Sequence, residues 1–188
     1  DLSVVRHMAD RIVVMYVGKV VEAGPTEAIF NRPEHPYTEA LLAASPDLED
    51  DADADLQALE GAIPDPARPP QGCRFHTRCP VATPVCGWEV DDAVSWLDDH
   101  EGMFEALTGV SRSSQFDAWL SFDGDDAAAR LQATLQDGEV PAAMRSALEE
   151  LTLDRNRVRL RFTPVDEVPL TLRGEGHVAA CVRNQEQV

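Results

Sequence analysis

The chain has 188 residues with 34 acidic and 16 basic side chains, so its formal charge is −18. This length fits one or two small domains, and 44% apolar residues can form a buried core, which argues against wholesale disorder. No apolar run approaches the ~18 residues that a membrane-spanning helix needs. The acidic balance argues against nucleic acid as a partner, because phosphate binding needs clustered Lys and Arg.

The basic residues are unusual, because Lys19 is the only lysine and all the others are arginine. A carboxylate-rich surface with few lysines suits a protein that stays hydrated at high salt, where screening weakens self-repulsion between charges. The composition therefore predicts a halophilic protein, which concerns its environment and not its task.

Residues 1–45 are predicted to hold a helix, a β-hairpin and two further helices. Leu2, Val5 and Met8 fall on one face of a helix at the start of the chain. β-Branched residues on both sides of Gly18 predict two strands joined by a tight turn. The predicted ranges are the turn at 17–19, a short helix over 27–30 capped by Thr26, a break at 31–36, and a second helix over 37–44.

Residues 46–87 are predicted to be a linker that leads into a Pro-rich, cysteine-containing loop region. An acidic run occupies 47–55, and four prolines follow between 64 and 70. Such a composition favours extended or irregular chain over helices and strands.

Residues 88–170 are predicted to form an inserted acidic α+β domain, and 171–188 a closing segment that carries the fourth cysteine. The predicted elements are helices over 91–107, 125–135 and 141–151, and strands over 116–122, 155–162 and 168–172. The predicted fold class of the whole chain is therefore α+β.

Two sets of side chains in this inserted region could bind a ligand or partner, but for both we expect a structural role. The alternating arginines are expected to pair with nearby carboxylates, and the tryptophans to pack in a core. The arginines are Arg155, Arg157, Arg159 and Arg161, and the tryptophans are Trp88, Trp96 and Trp119.

Four cysteines are the candidate metal ligands. Cys73, Cys79 and Cys86 fall within 14 positions, whereas Cys181 lies far along the chain. They could form disulfides, bind structural zinc, bind an iron–sulfur cluster, or remain free buried thiols. The gaps of five and six residues are atypical of zinc knuckles, and three close cysteines with one remote cysteine match the general habit of cluster sites.

The residues around these cysteines favour ligation over a plain apolar core. Arg74, His76 and Arg78 supply positive charge that stabilises thiolates and an anionic cluster. His76 and His177 are possible alternative ligands, but each is expected to be a surface residue or a support for the ligands.

Three stretches of the chain resemble a known family. Residues 1–24 resemble the end of an ABC-transporter ATPase domain. His35-Pro36-Tyr37, within 31–42, is similar to the His-Pro-Tyr signature of the oligopeptide/dipeptide subfamily. Residues 72–86 and 177–181 are similar to the C-terminal cysteine motif of that subfamily. The resemblance covers roughly 1–87 and 172–183, and residues 88–170 have no counterpart in it.

The resemblance implies the end of an ABC ATPase α/β domain in the ATP-hydrolysing subunit of an importer for peptides or possibly nickel. It implies ATP and Mg²⁺ in the complete subunit, a sister ATPase subunit and permease subunits as partners, and a peripheral position on the cytoplasmic face of the membrane. It also raises an iron–sulfur cluster above zinc. The implied ligands are Cys73, Cys79, Cys86 and Cys181.

The chain itself has no Gly-x4-Gly-Lys-Ser/Thr loop, because Gly18-Lys19 is followed by valine and lacks the leading glycine. Without that loop nothing cradles the nucleotide phosphates or holds the magnesium. We therefore expect the C-terminal part of an ATPase subunit that is inactive by itself. The alternative hypothesis is a non-enzymatic metal-binding or regulatory module.

Overall fold

A computed structural model describes residues 2–44, 59, 61–99, 105–137 and 140–183. The chain divides into two compact units. Unit 1 comprises Asp1–Pro69, Cys73–Val81 and Glu167–Val188, and unit 2 comprises Pro70–Gly72 and Ala82–Asp166. The acidic run at 47–55 lies outside the described residues.

Both units combine helices with an antiparallel sheet, so the predicted α+β class is confirmed. No helix of the described residues is long and apolar enough to cross a membrane. The elements in chain order are α1 (Leu2–Met8), β1 (Arg11–Tyr16), β2 (Lys19–Pro25), α2 (Thr26–Asn31), α3 (Pro36–Ala43), α4 (Val90–Asp98), β3 (Leu107–Ser114), β4 (Asp117–Phe122), α5 (Asp125–Asp137), α6 (Ala142–Ala147), β5 (Leu148–Asp154), β6 (Arg157–Phe162), β7 (Thr171–Gly174) and β8 (His177–Ala179).

Unit 1 is built on a four-stranded sheet in the order β1-β2-β8-β7. The predicted hairpin is confirmed: β1 and β2 pair antiparallel, and the turn residues Val17 and Gly18 have φ of 44° and 77°. Two positive φ values in a two-residue turn match the twist of the flanking strands, which is why glycine is favoured there. The last two strands come from the far end of the chain, where β8 pairs with β2.

The helices that follow the hairpin begin earlier than predicted. Thr26 lies inside α2 rather than before it, and its hydroxyl donates to the carbonyl of Ala9. Pro36 begins α3, where its missing N–H costs nothing and its fixed φ suits a helix. His35 caps this helix by accepting a hydrogen bond from the backbone N–H of Tyr37 at 3.1 Å.

The predicted Pro-rich, cysteine-containing loop is not confirmed as one region, because the two units share it. Residues 61–75 form no helix or strand, and two short 3₁₀ turns follow at His76–Arg78 and Pro84–Cys86. The first turn belongs to unit 1 and the second to unit 2.

Unit 2 encloses a well-developed apolar core on one face of a sheet in the order β3-β4-β6-β5. Alternate residues of β4 and β6 point into this core, and three helices cover it. Because each strand buries every second side chain, one face of the sheet is apolar and the other polar. The buried members include Leu97, Leu120, Phe122, Leu131, Leu135, Met144, Leu160 and Phe162.

Two helix predictions in this unit are partly wrong. The predicted helix over 91–107 ends as α4 at Asp98, and Leu107 begins the unpredicted strand β3. The predicted helix over 141–151 is only the short α6, because from Leu148 the chain continues as β5. Leu148 and Leu151 are spaced by three, which suits a helix, but a register shift in β5 places both toward the core.

The polar face of the unit 2 sheet confirms the expected arginine pairing. Arg159 binds Asp117 through two hydrogen bonds of 3.0 and 2.9 Å, which lowers the pKa of Asp117 below its usual range. Trp88 is buried as predicted, but Trp119 lies on this polar face, where the Arg157 guanidinium is 4.8 Å from its ring centroid.

Candidate functional site

The most unusual group in unit 1 is a buried carboxylate. Glu22 lies in β2 with none of its surface exposed. Its Oε1 accepts from the backbone N–H of Glu34 at 2.8 Å and lies 2.6 Å from Nε2 of His177, while its Oε2 accepts from the N–H of His35 at 3.0 Å. A buried carboxylate needs such partners, because an unpaired charge in the interior is strongly destabilising.

His35 completes this group, which we call the Glu22 network: Glu22, the backbone of 34–35, His35 and His177. Burial lowers the pKa of His35 from 6.5 to about 4, although the Glu22 charge opposes this change. His35 is therefore neutral at pH 7. Because its Nδ1 accepts from Tyr37, its proton is on Nε2, which lies 3.7 Å from the Sγ of Cys73.

His177 enters the network from β8, at the other end of the chain. Its ring packs against Gly24 so closely that a Cβ at position 24 would lie 2.9 Å from the ring Cδ2. Glycine is therefore required by this close approach of two strands. The other ring nitrogen of His177, Nδ1, is buried and has no hydrogen-bond partner.

A small aromatic cluster that includes Tyr37 lies beside the network. The ring of Tyr16 lies 4.7 Å from that of Tyr37 and 5.2 Å from that of Phe75, both edge-on. The His35 ring is 5.9 Å from Phe75. Edge-to-face packing of this kind is more favourable than stacking face to face.

The Glu22 network holds together segments that are far apart in the sequence. It joins β2, the start of α3 and β8, and 155 positions separate Glu22 from His177. All three of its side chains are essentially inaccessible to solvent, so none can meet a substrate directly. The arrangement therefore serves as a structural brace and not as a catalytic site.

Sequence reasoning missed this network, although every member is visible in the chain. Glu22 follows Val20 and Val21, and the sequence alone predicts an ordinary polar residue of a strand at this position. His177 was expected at the surface or as support for metal ligands, and the structure corrects this, because it is buried against Glu22. The glycine at position 24 was the available signal, since a glycine inside a strand often marks a close approach.

The structure shows the surroundings of each predicted cysteine ligand. Cys73 and Cys79 both pack beside the aromatic cluster, and Cys73 also contacts His35. The Sγ of Cys86 lies 3.3 Å from both the backbone N and the hydroxyl of Thr83, inside unit 2. Cys181 is buried in unit 1 after β8.

The structure gives no support for an iron–sulfur or zinc centre at these thiols. Throughout the part of the chain that the structure describes, no three or more His, Cys, Asp or Glu side chains lie together so that they could hold a metal ion. A cluster would need four converging thiolates. The ligand assignment from sequence therefore stays a prediction that this structure does not support.

Residues 21–86 match the family described as "Oligopeptide/dipeptide transporter, C-terminal region". This range contains most of β2, the helices α2 and α3, and the first three cysteines. The resemblance that the His-Pro-Tyr segment and the cysteine spacing indicate is therefore confirmed over these residues.

Three of the relatives are named as ATP-binding proteins of peptide transport. A probable peptide ABC transporter ATP-binding protein of Sinorhizobium fredii is 50% identical over 99 residues, which is 52% of this chain and 28% of the relative. The di/tripeptide transport ATP-binding protein DppF of Pseudomonas aeruginosa is 46% identical over 92 residues, which is 49% of this chain and 28% of the relative.

The oligopeptide transport ATP-binding protein OppF of Salmonella typhimurium is 48% identical over 88 residues, which is 46% of this chain and 26% of the relative. The chain thus spans about a quarter of the length of the curated relatives that it matches.

Proposed function

We propose that this chain is the C-terminal part of the ATP-hydrolysing subunit of an ABC importer for dipeptides or oligopeptides. The observation that carries the proposal is the match of residues 21–86 to the C-terminal region of such transporters. The names of the relatives agree with it, since all of them are ATP-binding proteins of peptide import. Neither nickel transport nor a separate metal-binding module has comparable support.

The geometry of unit 1 supports a structural contribution to that subunit. The Glu22 network ties the hairpin, the His-Pro-Tyr segment and the last strand into one piece, and it leaves no reactive group facing solvent. In the proposal, this network holds the hairpin, the His-Pro-Tyr segment and the last strand in fixed positions within the complete subunit.

The cofactor of the proposed reaction is Mg²⁺-ATP, bound by parts of the complete subunit that this chain does not contain. The sequence has no phosphate-binding loop, and a nucleotide triphosphate needs one to hold its β- and γ-phosphates. The contribution of these residues is therefore positional. In the proposal a sister ATPase and permease subunits bind the complete subunit at the cytoplasmic face of the membrane.

Peptide uptake in the source organism tests this proposal. A strain that lacks the reading frame containing this chain should lose most uptake of radiolabelled di- and oligopeptides, and the wild-type gene should restore it. Nickel uptake, measured in the same cells, is the matched control and should not change. Normal peptide uptake in the deletion strain, or a loss confined to nickel, would contradict the proposal.

A further inference from the structure

The sheet of unit 1 is completed by strands from two separate parts of the chain. Strands β1 and β2 precede unit 2 in the sequence, whereas β7 and β8 follow it. Because β8 pairs with β2, the sheet closes only when the chain on either side of unit 2 is brought together. The folded state of unit 2 therefore bears on how unit 1 closes.

Strand β8 contributes buried contacts to unit 1. The backbone N–H of Ala180 donates to the carbonyl of Val21 at 2.8 Å, and Nε2 of His177 lies 2.6 Å from the carboxylate of Glu22. His177 and Ala179 are almost fully buried. Loss of β8 would leave the carboxylate of Glu22 with its backbone donors, and water would reach it.

The two ends of unit 2 lie beside one short helix, α6. At the entry, the 3₁₀ turn Pro84–Cys86 contacts α6. At the exit, the N–H of Thr163 donates to the carbonyl of Ala147, the last residue of α6, at 3.0 Å. A helix of six residues is ~9 Å long, so folded unit 2 holds its entry and its exit close together.

The connection from unit 2 to β7 is short. It covers 164–170, forms no helix or strand, and contains Pro164 and Pro169. Proline fixes φ, so this connection has fewer conformations than a flexible linker of equal length. Glu167, within the connection, forms an ion pair with Lys19 of β2. The chain that leaves unit 2 thus reaches its place in unit 1 within a few residues.

Loop closure gives this arrangement an energetic consequence. The entropic cost of bringing two chain segments together grows with the logarithm of the length of flexible chain between them. Folded unit 2 leaves a short effective connection, whereas unfolded unit 2 would leave about 80 flexible residues. Docking of β8 would then be roughly 30-fold less favourable than with a connection of about eight residues.

We propose that unit 2 is a conformational clasp for the Glu22 network: its fold keeps β7 and β8 docked on β2, and its unfolding releases His177 from Glu22. The coupling passes through the chain itself. A ligand or partner that stabilises folded unit 2 therefore also tightens the Glu22 network, and one that opens unit 2 loosens it. The insertion is then a control element for the His-Pro-Tyr segment, whose backbone Glu22 binds. This inference does not depend on the proposed function.

Hydrogen exchange at the Ala180 amide tests this coupling in the full chain. Leu160→Ala weakens unit 2, so a urea concentration is chosen at which tryptophan fluorescence shows unit 2 unfolded in the variant and folded in the wild type. At that concentration the Ala180 amide should exchange roughly 30-fold faster in the variant. Equal exchange rates in the two proteins would overturn the proposal.

Leu153→Ala is the matched control, because Leu153 lies in the same sheet as Leu160 but is 36% exposed. Exchange at Ala180 should stay within about twofold of the wild-type rate in this variant, and unit 2 should stay folded. Much faster exchange at Ala180 while unit 2 stays folded would show that β8 opens independently of unit 2, which would also overturn the proposal.

A pair of linker variants separates the effect of chain length from any other effect of unit 2. Residues 88–163 are replaced by a flexible Gly/Ser linker of about eight residues or of about 76, the length removed. The short linker should keep the Ala180 amide protected as in the wild type, whereas the long linker should accelerate its exchange roughly 30-fold. Loss of protection with both linkers, or full protection with both, would overturn the proposal.

Discussion

Unit 2 packs a large apolar core against its sheet, drawn from α4, α5, α6, β4 and β6, whereas the apolar cluster of unit 1 has three buried members among the described residues. Those three are Tyr16, Val21 and Phe75. Among the described residues, ten of the exposed large apolar side chains lie in unit 1 and two, Val85 and Leu153, in unit 2. Unit 2 thus buries most of its described large apolar side chains, whereas unit 1 leaves many of its own exposed.

The difference shows how an apparently similar α+β arrangement can have two different sources of stability. Unit 2 depends on apolar burial, which contributes roughly 25 cal/mol for each Å² removed from water. Unit 1 depends more on the Glu22 network. The aromatic residues separate the two experimentally, because all three tryptophans lie in unit 2 and both tyrosines in unit 1.

The largest expected effect comes from the core of unit 2. Leu160→Ala removes a fully buried side chain of β6 and should lower the free energy of unfolding of unit 2 by about 2–5 kcal/mol, through lost burial and a cavity. Urea unfolding followed by tryptophan fluorescence measures it. The matched control is Leu172→Ala in unit 1, for which tyrosine absorbance follows unfolding and the unfolding free energy of unit 1 should change by less than ~0.5 kcal/mol. Equal effects at the two leucines would remove the contrast between the units.

The next effect concerns the Glu22 network. Glu22→Gln replaces one carboxylate oxygen with an NH₂ donor, so one of the groups that now donate to Glu22 loses its acceptor. The unfolding transition of unit 1, followed by tyrosine absorbance, should lose about 1–3 kcal/mol. The control is Glu27→Gln, which changes an exposed carboxylate. A transition of unit 1 that is unchanged by Glu22→Gln would show that the network does not brace it.

A third prediction tests the close approach of β2 and β8. Gly24→Ala puts a methyl group 2.9 Å from the His177 ring and should destabilise unit 1 by roughly 1–3 kcal/mol, because the strands must move apart. Gly109→Ala in β3 is the control, since no atom lies within 4 Å of its added Cβ. Urea titration measures both variants, with tyrosine absorbance for Gly24→Ala in unit 1 and tryptophan fluorescence for Gly109→Ala in unit 2. Loss of stability at Gly109 but not at Gly24 would contradict the described packing.

The smallest effect is expected at the ion pair of unit 2. Asp117→Asn should cost about 0.2–1 kcal/mol at neutral pH, and less at high salt. The pairing with Arg159 lowers the folded-state pKa of Asp117, so this contribution is fully present above the ordinary pKa of 3.8 and is lost as the pH falls through the lowered value. Thermal unfolding of both proteins from pH 7 downwards measures it. A stability difference that grows as the pH falls would have the wrong sign.

Local patterns were enough to predict several elements. The hairpin over β1 and β2 followed from β-branched residues around Gly18, and α5 from its acidic start and helical spacing. The strand β3 was missed because most of its residues are exposed and it has little apolar alternation. The signal for a strand was therefore weak there, and only pairing with β4 specifies it.

The candidate site was harder to predict, because its partners are distant in sequence. Gly24 signals a close approach near Glu22 but does not identify His177 as the partner. A polar residue within a strand also usually faces solvent. For the cysteines, the spacing suggested one centre, and the ligand assignment stays a prediction, since no group of three or more His, Cys, Asp or Glu among the described residues could hold a metal ion.

The most direct test of the account compares magnesium-dependent ATP hydrolysis by the complete subunit and by the 188-residue chain. The chain should show no hydrolysis and no tight ATP binding, because it has no phosphate-binding loop. The complete subunit should hydrolyse ATP. Hydrolysis by the 188-residue chain, or a complete subunit that contains no phosphate-binding loop and no ATPase activity, would contradict the account.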